Sequence, residues 1–170
     1  MLALVYYTMI IGNLFANTIY KTFVIKHISN DQFLTLVGCI ASIANGFSRF
    51  PSSLLFKKVG FKAMVNILAV VNITVYSTIK LTIFNQGVYC FLIVICNLML
   101  GSTLAIGPTQ LLRTFGAKTG SDIYSVFWCC FAAANFTSYG LSNAVDLNIL
   151  FYVFSGTSAF SAIFVWFIPL

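Results

Sequence analysis

The sequence contains no glutamate, and its only acidic residues are Asp31, Asp122 and Asp146. Charged residues make up 7% of the chain, against roughly 25% in soluble domains. That scarcity excludes an ordinary water-soluble globule. Histidine occurs once, as His27, and its place beside Lys26 reads as a solvated turn. There are no paired carboxylates, no G-x-S-x-G, no P-loop and no H-E-x-x-H. Without a positioned base, acid or metal site, the chain is read as a non-enzyme with no cofactor. The cysteines (Cys39, Cys90, Cys96, Cys129 and Cys130) fall in or beside apolar runs, with no C-x-x-C and no Cys/His spacing. They read as small buried hydrophobes.

What is present is oil. Hydrophobic residues make up 60% of the chain, with a mean hydropathy of +0.98. A membrane β-barrel would show strands of about ten residues alternating in polarity, whereas the apolar runs here are long and continuous. The class is a polytopic helical membrane protein. A formal charge of +6 raises the possibility of a nucleic-acid partner. The basic residues are too few for that and sit in membrane-flanking turns, so they read as topology determinants. The first apolar run lacks a basic leader and a small-residue cleavage pattern, which argues against a cleaved signal peptide.

A hydrocarbon core of about 30 Å needs about 20 helical residues. Polar turns cut the chain into spans of about that length, at approximately 2–25, 32–55, 63–84, 88–112, 123–145 and 148–170. Residues 1–170 are thus expected to form one all-α, six-helix transmembrane domain. The turns are KHISND, FKKVGFK, NQG, RTFGAKTGSD and VDLN. The turns after the second and fourth spans carry Lys57, Lys58, Lys62, Arg113 and Lys118. The opposite side offers Lys26 and Lys80, with Lys21 a turn inside its span. The bias places the second and fourth turns, and both termini, in the cytoplasm. The sequence does not name the membrane.

Polar residues recur on single faces inside the spans. Gly38, Ser42, Asn45, Arg49 and Ser52 are spaced by 4, 3, 4 and 3, which is one helical face. The first span carries Tyr6, Asn13, Asn17 and Tyr20. The fourth carries Asn97, Gly101 and Pro108, and the fifth Asn135 and Tyr139. Such faces either pack helices together through small residues and amide hydrogen bonds or line a shared hydrated pathway. Asn72 and Asn135 head N-x-[ST] triplets, but both lie inside spans, out of reach of glycosylation.

Arg49 weights the choice. It stands eight residues before Lys57, more than two helical turns inside the span. A mid-membrane arginine costs at least about 2.5 kcal/mol on insertion scales, and no acidic residue of the membrane interior can neutralise it. Either its stem snorkels to the headgroups, or its guanidinium awaits an anionic solute. Its polar face favours the second reading, because a planar guanidinium suits bidentate capture of a carboxylate. Pro51 is expected to kink this span, and Pro108 carries the same two readings, kink or neutral membrane proline. No pore ring or selectivity-filter sequence supports a channel.

The stretch NGFSRFPSSLLFKKVGFK, residues 45–62, resembles the helix-2 signature repeated in each half of major facilitator superfamily transporters, roughly G-x-x-x-D-R-x-G-R-R/K. A lysine stands here where the aspartate would be. NGFSR is similar to the eighth-helix motif of the oxalate/formate antiporter and monocarboxylate transporter group. LGSTLAIGPTQLLRTFG resembles the tenth helix, and FGAKTGSDIYSVFW the turn into the eleventh. The resemblance covers nearly the whole chain, as helices seven to twelve of such a transporter.

It implies the C-terminal six-helix half of a carrier for a small organic anion, working by alternating access. Arg49 would contact the anion, with Asn45, Asn17 and Asn135 lining the pathway. The eleventh-helix lysine of oxalate-type members has no counterpart in the fifth span, so the implied substrate is a monocarboxylate-like anion and not a dicarboxylate. The implied partners are that solute, the lipid bilayer, and either an N-terminal six-helix half or a second copy. Met1 abuts the first span, so the chain is expected to be a piece of a longer protein. The rival reading is a non-transporting half-transporter acting as a membrane subunit or sensor.

Overall fold

A computed structural model describes every residue except Lys26, Ser29, Ile83, Phe84 and Leu170, and no side chain of Thr82, Ala117 or Ser121 is described. Lys26, the last two residues of the third expected span and the last residue of the sixth therefore lie outside the described residues. The chain is all-helical, with no strand among the described residues. Its elements are α1 (Leu2–Val24), α2 (Asp31–Thr78), α3 (Gln86–Ala144) and α4 (Leu147–Phe164), with 3-10 turns at Ile79–Thr82 and Val165–Phe167.

Each later helix begins on a side-chain cap. Asn30 accepts from the Phe33 amide at 3.0 Å, Asn85 from the Val88 amide at 3.2 Å, and Asp146 from the Asn148 amide at 2.7 Å. These caps satisfy amides that the first turn leaves without an intrahelical acceptor. Inside the helices, Ser and Thr hydroxyls return to the carbonyl four residues back, as from Thr18 to Leu14 and Ser42 to Gly38. That habit leaves few free donors in an apolar surround.

α2 and α3 are too long for single rods. Each breaks at one glycine in the left-handed region, Gly60 at φ +80° and Gly116 at φ +77°, where a Cβ would be strained. Runs 31–59 and 61–78 fold back on one another, so Leu34 and Ile79 share one hydrophobic cluster. Runs 86–115 and 117–144 do the same, and Gly120 lies against Leu111 and Leu112. The ten-residue turn expected at 113–122 is thus a single-residue break, with helix continuing on both sides. Neither Pro51 nor Pro108 interrupts the helical dihedral angles; the breaks fall at the glycines instead.

Helices long and apolar enough to cross a membrane cover Leu2–Val24, Asp31–Leu81, Gln86–Gly116 and Leu147–Phe167. Their outer surface is studded with large apolar side chains, among them Ile43, Phe47, Phe50 and Phe91. A water-soluble monomer rarely exposes such a continuous apolar surface.

The interior holds two apolar clusters. One gathers Phe15, Leu34, Ile79, Tyr89 and Phe151, and the other gathers Tyr6, Phe56, Phe61, Ile106 and Phe127. Between them, along their helices, lie buried polar residues: Ser48, Ser52, Asn72, Ser102, Thr103, Ser158 and Ser161. Asn13 and Asn97 sit one turn away. The second cluster marks the basic end, where both glycine breaks and the lysine-rich turn lie.

Candidate functional site: the polar face of residues 31–59

Run 31–59 presents three faces. Leu34, Val37, Ala41, Ser48, Ser52 and Phe56 are buried. A second face exposes Leu36, Ile40, Ile43, Phe47, Phe50 and Leu54. Between them runs a small and polar face: Thr35, Cys39, Ser42, Gly46 and Arg49 are exposed, while Gly38, Asn45 and Ser53 are half-buried. At 100° per residue these positions fall on one side of the helix. The sequence face of Gly38, Ser42, Asn45, Arg49 and Ser52 is therefore split. Its Ser52 edge packs inward, its Ser42 and Arg49 edge faces out.

The inward edge is fixed by close packing on α3. Gly101 meets the Asn45 carbonyl and the Ser48 hydroxyl so closely that a Cβ there would collide with both. Ser52 Oγ and Ser102 Oγ share a hydrogen bond at 2.6 Å. This seating holds the run with Arg49 outward. The guanidinium Nη2 donates to Asn45 Oδ1 at 3.5 Å, and the Arg49 carbonyl accepts from Ser53 Oγ at 2.7 Å. No acidic side chain among the described residues pairs with Arg49. From Gly60 it is eleven residues back, about 16 Å of helix at 1.5 Å each.

The three aspartates are occupied or exposed elsewhere. Asp31 pairs with Lys21 at 2.6 Å, and Asp122 is exposed. Asp146 accepts from the Asn148 amide and, at 2.9 Å, from its side-chain Nδ2. Those two hydrogen bonds, the backbone one foremost, hold its carboxyl below the usual range, with a smaller contribution from Lys80. Among the described residues no group of three or more His, Cys, Asp or Glu side chains converges as a metal site would.

Asn17 is exposed and lines a groove of about 700 Å³ with Tyr20, Lys21, Thr35, Gly38 and Ser42. The structure thus joins Asn17 to one end of the polar face that carries Asn45 and Arg49 farther along. Gly38 leaves room for the Tyr20 hydroxyl, whose backbone carbonyl accepts from the Tyr89 hydroxyl. Asn135 stands apart. It is half-buried on run 117–144, its carbonyl accepting from Ser138 Oγ at 3.2 Å, and it shares no hydrogen bond with Asn17, Asn45 or Arg49 among the described residues.

No family model, curated protein or solved structure matches this chain.

The first-span face of Tyr6, Asn13, Asn17 and Tyr20 divides along its length. Tyr6 and Asn13 are buried, while Asn17 opens outward. Asn13 is bonded by Tyr76, a residue the sequence does not single out, and one turn from Tyr76 lies Asn72, fully buried with neither side-chain polar atom partnered among the described residues. Periodicity could have shown Asn72 on the face of Leu68, Val75 and Tyr76, but not what stands across from it.

Proposed function

We propose that the chain is a six-helix transmembrane bundle that carries a small, monocarboxylate-like organic anion by alternating access, as one half of a facilitator-type transporter. Two glycine breaks give six antiparallel helical runs, and the basic end faces the cytoplasm under the lysine and arginine bias. Arg49 is the anion contact, and Asn45 and Asn17 line the path; Asn135 is a more distant candidate. The partner surface is a second six-helix half or another copy.

One observation carries this reading. The exposed face around Arg49 is small and polar from Thr35 to Ser53, and it adjoins a face of exposed isoleucine, leucine and phenylalanine on the same helix. Lipid suits the apolar face. A charged and polar face at that depth suits a water-filled cavity or a protein partner, because ionisable groups in spans face bundle interiors or hydrated paths. With one weak hydrogen bond among the described residues, the guanidinium retains donors for a carboxylate.

The test is uptake of labelled lactate, pyruvate, formate and oxalate into proteoliposomes holding the protein from its complete natural reading frame. Saturable uptake of a monocarboxylate is expected. Absence of uptake for all four, from a folded and reconstituted protein, contradicts the reading and favours a non-transporting subunit.

A further inference from the structure

At the basic end, a cavity of about 630 Å³ opens beside the Gly60 break. It is lined by Lys62, Gln110, Arg113 and Trp166, and by the first turn of run 61–78. Both cations are held by aromatic rings. Lys62 Nζ lies 5.7 Å from the Trp166 ring centre, and the Arg113 guanidinium carbon 4.6 Å from that of Phe56. Neither pairs with an acidic side chain among the described residues. The positive end of a restarted helix adds to the same field.

A second cavity, of about 390 Å³, adjoins the first and shares Thr114 and Pro169 with it. Its wall is apolar, with Leu111, Phe115, Val126 and Phe127. Tyr6 lines it too, and the Tyr6 hydroxyl, although buried, has no hydrogen-bond partner among the described residues. A cationic chamber and an apolar one that meet at Thr114 and Pro169 together make an amphipathic surface. An anion alone would leave the apolar chamber unused, and a neutral acyl chain would leave two cations without a counter-charge.

We propose that these adjoining cavities hold one anionic phospholipid, its phosphate between Lys62 and Arg113 and an acyl chain in the apolar chamber. The site is separate from the Arg49 face. It rests on the protein being in a bilayer, not on its transporting anything.

Trp166 reports the site directly. In a Trp128→Phe background it is the only tryptophan of the chain, so acyl chains brominated near the headgroup quench it when they occupy the cavity. Quenching by brominated phosphatidylglycerol is expected at a mole fraction about 30-fold below that for brominated phosphatidylcholine, about 5-fold per cation. Lys62→Gln/Arg113→Gln should remove the preference, and Arg113→Gln alone should remove about 5-fold of it, which serves if the double variant does not fold. Lys57→Gln, an exposed lysine outside the cavity, should leave it unchanged. Equal quenching by the two lipids overturns the proposal, as does a preference undiminished in a folded Arg113→Gln variant. Loss of the preference on adding inorganic phosphate at constant ionic strength, with no loss on adding sulfate-free chloride salt, makes it a free-phosphate site and overturns the lipid assignment.

Discussion

The Tyr76 hydroxyl donates to Asn13 Oδ1 at 2.8 Å, joining α1 to run 61–78 between side chains that are both buried. The Asn13 amide nitrogen donates in turn to the Met9 carbonyl at 3.2 Å, so both polar ends of Asn13 are used. Gly12, next along α1, lies against the Tyr76 ring and Phe154. In a bilayer this kind of contact replaces the hydrophobic drive that water would supply between helices.

Tyr76→Phe removes the donor and keeps the ring. The bundle should lose about 1 kcal/mol, since interhelical hydrogen bonds in membranes average about 0.6 and reach about 1.7 kcal/mol. A double-mutant cycle with Asn13→Ala, read by unfolding in detergent, should give a coupling energy in that range. A coupling of zero removes the bond from the account.

Asn72 makes the opposite prediction. Its Nδ2 and Oδ1 are buried without partners among the described residues, and an unsatisfied buried polar group costs about 1–3 kcal/mol. Asn72→Leu, with the same branched skeleton and no polar atoms, should therefore raise the melting temperature. A fall instead shows that Asn72 has a partner in the native membrane state.

Glycine substitutions separate close packing from open surface. Gly101→Ala drives a methyl into the Asn45 carbonyl, and overpacking of that kind costs about 1–3 kcal/mol. Gly140, where a Cβ would have no described neighbour within 4 Å, should accept alanine without loss of stability. Equal melting temperatures for the two variants contradict the seating of run 31–59 on α3.

Asp146 gives a pH signature. Its carboxyl titrates below the ordinary value of 3.8 in the folded chain, so the cap it makes on α4 is stabilising above that value. The contribution is lost as pH falls through the lower folded value, and it is constant from pH 5 upward. Hydrogen exchange at the Asn148 amide should be slow at pH 5 and lose its protection in acid. Asp146→Asn should abolish that pH dependence.

Much of the helical layout was legible because composition and hydropathy dictate it. Both breaks fall inside turns read from the sequence, since Gly60 and Gly116 stand among the basic residues that end the apolar runs. The turns proved shorter because one glycine at positive φ reverses direction without a loop, and no period reveals that. Arg49 and Ser42 could be placed on one face by spacing alone. Which edge of that face turns outward could not, because it depends on Gly101 of a distant helix. The Asn13–Tyr76 bond was hidden for the same reason: a partner 63 residues away leaves no mark on local periodicity. Lys62 and Arg113 read as topology charges until the fold set them around one cavity.

The central claim is that Arg49 meets the transported anion, and the most direct measurement is uptake by Arg49→Gln beside the parent protein and Arg49→Lys in matched proteoliposomes. Truncating one partner of a desolvated charge pair costs about 2–5 kcal/mol, so Arg49→Gln should lose at least about 30-fold in kcat/KM while melting like the parent. Arg49→Lys should recover only part of that, because an ammonium lacks the bidentate fork. Uptake by Arg49→Gln at the parent rate would contradict the account.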